Sequence, residues 1–528
     1  MRFAFLILFL LLNKFSFAQS AFERHYTFNT WTRGNTVLEI PGQGYFIIGT
    51  NDSLAFDSAG IPLSDYYQGI IVKLDFNGDT LKTFQIGNED TLYTHLFGNN
   101  SDDFFRTAMV MDDGNILVAG ETQSYNAQNY YDYDLWLLKF NPNLDLLWLK
   151  TFSIPDVRLV MVYAQGNKLN NGGIVIPGGS NNLISWNRQF SLSAFDSLGN
   201  VIFSRALLPH MSGFLLGAVE TDDGGFIATG MKYNVLVNSD LSPIVIKTDS
   251  NGIEQWHRIL PYSGDMHQAH DVARTYDGNY IFNWGNVVRN PGARYKVWMT
   301  HITKIDIQGN EIWTKNYGYS FDFGRRLKPL NNGRFIESGW YADTLGNGKQ
   351  TILMLCDANG DSLWTRKFNG VQGPAPGGGY TKCMDANQTS DGGFILTGET
   401  YCCNFTPGLG WTSSLWVLKT DSLGLITSII NQEKPRLDNV FMDLPFPNPA
   451  TEFCFVNTMI PPGNYLNAGS DAYLHLFDMS GKELSRIKVG IGLNITRIAL
   501  SSYPNGEYLI ALSVDGFNAG TKKILLQR

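Results

Sequence analysis

The sequence is poor in charge, and it has no run rich in Lys and Arg. Asp, Glu, Lys and Arg make up only 17% of the 528 residues, and the formal net charge is −8. A chain with no cluster of Lys and Arg offers no patch for nucleic acid phosphates, so we expect no nucleic-acid binding. After the first twelve residues, no apolar run approaches the roughly 20 residues that a membrane-spanning helix needs. We therefore expect no transmembrane segment in the mature chain.

Cysteine is scarce and irregularly placed. The five cysteines are Cys356, Cys383, Cys402, Cys403 and Cys454. In an exported chain Cys383 could pair with Cys402 or Cys403, but the odd count argues against a disulfide scaffold. The adjacent thiols Cys402 and Cys403 have no second pair and no nearby His, so they do not make a zinc motif.

The first twenty residues predict an export signal. Arg2 supplies the positive end, Phe3–Leu12 is an unbroken apolar run, and Ser16–Ala18 is a small-x-small cleavage site. The apolar run is too short for a membrane anchor. We expect cleavage between Ala18 and Gln19, which would leave a mature chain with a net charge of about −10.

Glycine and aromatic residues are abundant, and they recur periodically. An apolar stretch closed by glycine, or once by tryptophan, occurs seven times: Tyr45–Gly49, Ile116–Gly120, Ile174–Gly178, Phe226–Gly230, Tyr280–Trp284, Phe335–Gly339 and Phe394–Gly398. Asp-Gly or Asn-Gly precedes most of these copies, and these dipeptides are the strongest short-range signal for a hairpin. The spacing is within the range of propeller-type repeats.

A second apolar stretch follows each copy, and six of these end in Asp-x-x-Gly, with the glycines at Gly78, Gly199, Gly252, Gly309, Gly360 and Gly424. A type I turn followed by a left-handed glycine closes a three-residue hairpin loop. An aromatic residue stands four positions after the turn in five copies: Trp148, Phe203, Trp256, Trp313 and Trp364. We expect these rings to pack between neighbouring sheets.

Each unit thus supplies four strands, and seven such units predict an all-β chain with a seven-bladed β-propeller over residues 19–426. The seventh unit has no aromatic strand after Gly424, whereas Phe22–Phe28 resembles such a strand and has no unit of its own. We predict that this N-terminal strand closes the last blade. Residues 427–439 are typical of a linker, and a further β pattern occupies residues 440–528.

The meander places the two tight turns of each unit on one face of the disc and the variable loops on the other. Binding residues concentrate on long loops held by a rigid scaffold, so the loop face is the candidate ligand face. Loop aromatics more often pack inside the protein, but those of this face are the candidate contacts. They are Tyr125, Tyr130, Tyr131, Tyr133, Trp284, Trp340, Tyr341 and Trp411.

No residue can be assigned to catalysis, to a cofactor or to a metal from the sequence. Asp75–Asp79 and Asp357–Asp361 begin like calcium loops, but Ile86 and Phe368 stand where the ligating glutamate belongs. Hairpin turns are therefore favoured, and calcium stays a weaker alternative. The segment His267–Asp271 could offer two imidazoles and a carboxylate to a metal, but no further ligand is evident and a polar loop is favoured.

Four blocks occur in a fixed order near the C terminus: Phe446–Ala450, Leu474–Leu484, Leu500–Ile510 and Lys522–Ile524. They resemble the type A C-terminal sorting domain of type IX secretion substrates. The resemblance implies an Ig-like β-sandwich that directs passage through the bacterial periplasm and across the outer membrane. The secretion machinery is then a partner, and the product is released or held at the cell surface. The motif positions are Pro447, Asn448, Pro449, Gly481, Lys482, Asn505, Gly506, Lys522 and Lys523.

Two functions remain open for the repeat region. We expect a secreted or surface-displayed module that binds an extracellular glycan or protein without chemistry of its own. The alternative is a hydrolase or lyase acting on extracellular polysaccharide, and a structural surface-layer component is a third possibility. The repeats fit neither the Asp-x-Gly-x-x-Trp pattern of sialidases nor the pattern of quinoproteins, and nothing marks two carboxylates as flanking one substrate.

Overall fold

The computed structural model describes residues 21–28, 31–56, 62–87, 102–124, 133–152, 157–160, 164–182, 188–233, 241–260, 268–289, 296–319, 323–342, 349–368, 380–406, 410–426, 441–460, 472–479, 483–490, 492–514 and 517–528. The predicted cleavage site at Ala18 and Gln19 and the predicted linker lie outside these ranges. The chain divides into two compact units, residues 1–428 and residues 429–528. No helix in the described part of the chain is long and apolar enough to span a membrane.

The described strands of the first unit form antiparallel meanders, numbered here as sheets 1 to 7. They begin with β1 (Phe22–Tyr26), which belongs to sheet 7. Sheet 1 contains β2 (Thr32–Ile40), β3 (Gly44–Phe56), β4 (Pro62–Leu74) and β5 (Thr80–Ile86). Sheet 2 contains β6 (Asp103–Val110), β7 (Ile116–Thr122), β8 (Asp134–Phe140) and β9 (Leu146–Phe152). Sheet 3 contains β10 (Val157–Val160), β11 (Asn167–Lys168), β12 (Ile174–Asn182), β13 (Arg188–Phe195) and β14 (Val201–Leu207).

Sheet 4 contains β15 (Ser212–Glu220), β16 (Phe226–Tyr233), β17 (Leu241–Thr248) and β18 (Glu254–Ile259). Sheet 5 contains β19 (Gln268–Arg274), β20 (Tyr280–Arg289), β21 (Lys296–Ile305) and β22 (Glu311–Tyr319). Sheet 6 contains β23 (Phe323–Pro329), β24 (Phe335–Ala342), β25 (Lys349–Cys356) and β26 (Ser362–Phe368), with a 3-10 turn at Asn331–Gly333. Sheet 7 contains β1, β27 (Tyr380–Gln388), β28 (Phe394–Thr406) and β29 (Gly410–Thr420), and one parallel pair, Lys349–Tyr380, joins it to sheet 6. The predicted all-β architecture of four-stranded antiparallel sheets is confirmed.

The N-terminal strand pairs where the sequence predicts it. Strand β1 lies antiparallel to β29, and Phe22 is opposite Lys419. In sheets 2 to 6 this position belongs to the repeated aromatic residue; for example, Trp256 is opposite Lys247 and Trp148 is opposite Lys139. Phe22 therefore takes the place of the aromatic residue that the last repeat lacks, and the predicted pairing of the N-terminal strand with the last sheet is confirmed.

The repeated aromatic residues pack across sheet boundaries, as predicted. Each ring covers the Asp-x-x-Gly glycine of the following sheet, so that a Cβ on Gly309 would lie 2.7 Å from the Trp256 ring. The ring of Phe22 covers Gly78 of sheet 1 in the same way. Because these glycines have φ near +80°, glycine is favoured both by the backbone and by the ring above it.

One boundary departs from this arrangement in both partners at once. Between sheets 1 and 2, Leu144 replaces the turn glycine with φ 63° and is only 1% exposed. The residue facing it is Lys82 rather than an aromatic residue, and its Nζ donates to Asn143 O at 3.0 Å and to Asp145 Oδ1 at 2.9 Å. Leu144 belongs to a buried cluster with Ile71 of sheet 1 and Phe140 of sheet 2. This boundary thus combines leucine and lysine where the others combine glycine and an aromatic ring.

The aspartates of the Asp-Gly turns have a role beyond the turn. The Nζ of Lys419, which is completely buried, lies 3.0 Å from Asp391 Oδ2, and Lys247 lies 3.0 Å from Asp223. A buried ammonium is stable only when it is paired and hydrogen-bonded, and removing one partner leaves the other uncompensated. The hairpin signal in the sequence is thus also the site of an ion pair within the sheet.

Among the described residues, the first strand of the meander carries a β-bulge at nearly the same level in six of the sheets, namely in β2, β6, β15, β19, β23 and β27. Beside the bulges, polar side chains bond to the backbone of the next sheet. Asp271 accepts from Leu327 N at 3.1 Å, and Arg326 donates to Met384 O at 3.2 Å. Asp385 accepts from Val37 N at 3.1 Å, which links sheet 7 to sheet 1. Bulges re-aim side chains, and here they aim them at the neighbouring sheet.

The second unit consists of two antiparallel sheets on one core. One sheet contains β30 (Phe441–Met442), β31 (Phe453–Ile460) and β34 (Gly492–Ala499), and the other contains β32 (Ala472–Asp478), β33 (Glu483–Val489), β35 (Gly506–Val514) and β36 (Phe517–Leu526). Val456 of the first sheet and Leu474 and Ile510 of the second belong to one buried cluster. The unit is a small β-sandwich.

The pairing of Cys383 with Cys402 or Cys403, which the sequence leaves open, does not form. Cys383 is a free, buried thiol whose Sγ lies 3.4 Å from Asp385 O, and Cys356 and Cys454 are likewise free and buried. The side chains of Cys402 and Cys403 lie outside the described residues. Burial in apolar surroundings raises the pKa of all three described thiols, so they pack as small apolar residues.

Candidate ligand-binding face

The end of the first unit opposite the tight turns carries a row of aromatic side chains. Their ring centroids follow one another at 5.3 Å from Trp31 to Tyr67, 5.3 Å from Tyr67 to Phe104, and 6.1 Å from Phe104 to Tyr133. Tyr67 lies in β4 of sheet 1 and Phe104 in β6 of sheet 2, while Trp31 and Tyr133 directly precede strands β2 and β8 of the same two sheets. All four are half-buried. We call these four residues the aromatic row.

Two arginines lie over the aromatic row. The guanidinium of Arg33 is 4.9 Å from the Trp31 centroid, and that of Arg106 is 4.1 Å from the Phe104 centroid. Each arginine follows its ring by two residues, and residues two apart point to the same side of a strand. Arg106 also donates from Nη2 to Glu121 Oε2 at 2.7 Å and is 9% exposed. The positive charge of Arg106 is therefore paired with the carboxylate of Glu121 within the protein.

Carboxylates hold the aromatic row in place. Asp102 accepts from the backbone N of Tyr67 at 3.3 Å and from the hydroxyl of Tyr133 at 3.1 Å. Asp52 accepts from the backbone N of Trp31 at 2.7 Å. These bonds fix the rings before any ligand arrives, which reduces the conformational entropy that binding must overcome.

A second aromatic pair occupies the same end of sheet 7. Tyr380 and Tyr401 are half-buried and stack with their centroids 5.1 Å apart and an interplanar angle of 18°. The Nζ of Lys382 lies 4.1 Å from the Tyr380 centroid and 2.8 Å from Glu399 Oε1. Burial raises the pKa of Tyr380, with the charge of Glu399 adding to the effect. Here too, ring and cation are two residues apart and the cation is paired.

The structure separates the predicted contact residues. Tyr133 belongs to the aromatic row, whereas Trp284 is 1% exposed, stacks on His301 and donates from Nε1 to Thr303 Oγ1 at 2.9 Å. Trp340 is 3% exposed. Both tryptophans are thus packing residues, with little surface for a ligand. Tyr125, Tyr130 and Tyr131 and the side chains of Tyr341 and Trp411 lie outside the described residues.

Sequence reasoning missed most of this face, namely Trp31, Tyr67, Phe104, Tyr380 and Tyr401. An aromatic-x-basic triplet lies at the start of strands β2, β6 and β27: Trp31 to Arg33, Phe104 to Arg106, and Tyr380 to Lys382. A prediction based on long loops does not include these residues, because the rings stand on or beside the strands.

The carboxylates of the candidate metal segments accept hydrogen bonds from backbone N–H groups. Asp75 Oδ1 accepts from Asn77 N and Asp79 N at 2.8 Å each, and Asp357 makes the same two bonds in its own turn. In the segment His267–Asp271, Asp271 is 4% exposed and its carboxylate is engaged by backbone N–H groups. Among the residues that the structure describes, no three His, Cys, Asp or Glu side chains form a group that could hold a metal.

A buried carboxyl group in strand β24 makes the stability of the first unit depend on pH. Glu337 is completely buried and accepts from Asn283 at 3.2 Å. Burial raises the pKa of Glu337 from 4.5 to about 8; the neighbouring Asp271 charge adds to the rise and the Asn283 bond opposes it. Between these pKa values the folded state keeps a proton that the unfolded state releases, so the stability falls as the pH rises.

The variant Glu337→Gln should therefore be more stable than the parent at pH 8 and similar to it near pH 4.5. The amide resembles the protonated acid, and we expect a gain of about 2–4 kcal/mol at the upper end of this range. Urea unfolding at several pH values measures the difference. A gain in stability that is the same at every pH would contradict the raised pKa of Glu337.

The sorting-motif residues tie the ends of the second unit together. Pro447 and Pro449 both follow cis peptide bonds, and the Asn448 side chain between them accepts from Leu525 N at 2.9 Å and donates to Lys523 O at 3.2 Å. Asn505 accepts from Arg528 N at 3.2 Å. Gly506 begins β35, and Lys522 lies in β36. Gly481 and Lys482 lie outside the described residues.

Comparison with known proteins identifies the second unit. Residues 445–527 match the family model described as a secretion system C-terminal sorting domain. No curated protein matches the chain in sequence.

Solved structures resemble the chain only at low identity. They include Drosophila semaphorin 2a (8% identity, 97% of this chain and 98% of that one, TM-score 0.43). The β-propeller domain of the trilobed protease from Pyrococcus furiosus is 10% identical over 78% of this chain and 99% of that one, with a TM-score of 0.39. An alpha-L-arabinanase from Penicillium chrysogenum is 10% identical over 60% of this chain and 93% of that one, with a TM-score of 0.37. Because these scores are low, the function must be argued from the residues of this chain.

Proposed function

We propose that this chain, which is a type IX secretion substrate because it ends in a sorting domain of that system, is a binding or adhesion module of the cell surface or medium. Residues 19–426 are proposed to form a closed seven-bladed β-propeller, and residues 440–528 an Ig-like sandwich that contacts the secretion machinery. The ligand face is the end that carries the aromatic row. The ligand is an extracellular glycan or protein.

Bonds between the first and last sheets support a closed ring. Besides the contact of Asp385 with Val37, Asn387 Nδ2 donates to Val37 O at 2.7 Å, and Ser390 Oγ lies 2.7 Å from Glu39 Oε1. These bonds are of the same kind as those between consecutive sheets. A ring closed in this way leaves only short outer strand edges and provides a rigid scaffold for a face.

The aromatic row is the single observation that carries the binding proposal. Half-buried rings with fixed orientation supply contact area at little entropic cost, which is why aromatic residues are enriched in recognition surfaces. The described carboxylates beside the row, Asp102, Asp52 and Glu121, are engaged in bonds that position rings or neutralise arginine. A glycosidase needs two carboxyl groups flanking one substrate. Binding without catalysis fits this arrangement better.

Export is tested by truncation. We expect a chain ending at residue 439 to accumulate in the periplasm, whereas the full chain reaches the surface or the medium, because only the latter carries the sorting domain. Cell fractionation and immunoblotting measure the distribution. Export of the truncated chain in normal amounts would contradict the assigned role.

Binding is tested by a screen of the mature chain, residues 19–528, against extracellular glycans and proteins. We expect Tyr67→Ala to weaken any true interaction at least about tenfold, since a central aromatic contact commonly contributes 1–2 kcal/mol or more. Tyr276→Ala is the matched control, because Tyr276 is 85% exposed and lies at a tight turn on the opposite end. An unchanged affinity in Tyr67→Ala would place the ligand elsewhere, and release of shortened glycan would replace binding by hydrolysis.

A further inference from the structure

We infer that the ligand of the aromatic row is an uncharged polysaccharide, an inference that rests on the proposed binding function and narrows it. The face combines planar rings with polar groups that are already paired. The choice between uncharged, acidic and basic polymers is decided by the state of the charged groups beside the rings.

Two of the three cations of the face, Arg106 and Lys382, are neutralised by carboxylates within the protein, and the third, Arg33, is only 6% exposed. Arg106 makes two bonds to Glu121, whose side chain is 3% exposed, and Lys382 is paired with Glu399, whose side chain is also 3% exposed. An acidic polysaccharide would have to compete with these buried carboxylates for the cations. Removing one partner of a buried pair leaves an uncompensated charge. These cations therefore do not provide an anion site.

An acidic polymer also meets carboxylates beside the rings. Asp102 bonds to Tyr67 and Tyr133, and Asp52 bonds to the backbone of Trp31. Negative charges repel ligands of the same sign. A sulfated or uronic-acid polymer is thus disfavoured at the rings.

A basic polymer is disfavoured by the hydrogen bonds of the described acids. Asp102 accepts from Tyr67 and Tyr133, and Asp103 accepts from the Thr122 hydroxyl at 2.6 Å and from Gln123 N at 3.2 Å. These carboxylates keep the rings and the neighbouring chain in place. Because these carboxylates already accept hydrogen bonds within the protein, we assign none of them to a cation of the ligand.

With acidic and basic polymers disfavoured, uncharged sugars are the polymers that fit the aromatic row. The apolar face of a pyranose packs on an aromatic ring, and hydroxyl groups can bond to the edges of amphipathic side chains such as tyrosine. Trp31 is edge-on to Tyr67 at 72°, and the two following ring contacts are tilted by 32° and 36°, so a linear polymer can meet ring edges and ring faces in succession along the row. The stacked pair Tyr380 and Tyr401 adds a second contact point at the same end of sheet 7.

Affinity electrophoresis of the mature chain tests the inference. The gels contain dextran, xylan or hydroxyethyl cellulose as uncharged polymers, polygalacturonate or dextran sulfate as acidic polymers, and chitosan as the basic one. We expect retardation by at least one uncharged polymer only. We also expect it to persist from low salt to about 0.5 M, because charge screening does not affect uncharged ligands.

Variants test whether the retardation depends on the aromatic rings. Tyr67→Ala and Tyr401→Ala should each reduce the retardation about tenfold, whereas Tyr67→Phe keeps the ring and should retain it. Tyr276→Ala is the control, and thermal unfolding verifies that each variant is folded. Retardation by an acidic or basic polymer alone, or a protein ligand in the screen, would overturn this inference and leave the binding function standing. Failure of every polymer and every protein to bind would overturn both.

Discussion

Replacing Phe22 with alanine should lower the free energy of unfolding of the first unit by about 3–5 kcal/mol, the range for truncating a buried phenylalanine. Phe22 is only 3% exposed and packs against Tyr45, with a centroid distance of 6.0 Å. It also covers Gly78, and it shares a buried cluster with residues of sheets 7 and 1 such as Val417 and Val37. The ring therefore lies at the junction where the last sheet meets the first.

Urea unfolding followed by tryptophan fluorescence measures this effect. All twelve tryptophans precede residue 417, the last being Trp416, so the signal reports the first unit alone. His25→Ala is the matched control, because His25 is an exposed residue of the same strand and should change the stability by less than about 0.5 kcal/mol. If both variants lose equally little, the β1 contact does not hold the junction together.

Introducing leucine at Gly309 should cost about 2–5 kcal/mol in the parent chain. The left-handed backbone at φ +80° strains any residue with a Cβ by about 1–2 kcal/mol. A Cβ there would also lie 2.7 Å from the Trp256 ring, and overpacking typically adds 1–3 kcal/mol.

The double variant Trp256→Lys, Gly309→Leu should recover part of this loss. It reproduces the Lys82 and Leu144 combination that the boundary between sheets 1 and 2 uses naturally. We expect the double variant to be more stable than the sum of the single effects by about 1–2 kcal/mol, a normal coupling for residues in contact. A double-mutant cycle measured by urea unfolding gives this energy, and strict additivity would show that the two natural exchanges are independent.

The local parts of the architecture follow from the sequence because they are encoded in short segments. Asp-x-x-Gly with a ring four residues later predicts both the hairpin and the strand that carries the ring, and the structure confirms both. The prediction for Phe22–Phe28 succeeded for the same reason, since an aromatic strand without a unit of its own needs an edge to pair with.

Residue environments were harder to predict. Trp284 stands where the other units have glycine, and its burial against His301 depends on a neighbouring strand. Cys383 is a free thiol buried in strand β27. Neither fact is visible in the spacing of residues along the chain.

The sequence by itself determined the succession of hairpins, the N-terminal strand that completes sheet 7, and the sorting domain at the C terminus. Each of these depends on turn residues, alternation and motif order within short stretches. Only the tertiary structure decided which rings form one face. Trp31 and Tyr133 are about a hundred residues apart and meet in one row because sheets 1 and 2 pack side by side. The stacking order of sheets, rather than the content of any one loop, places them there.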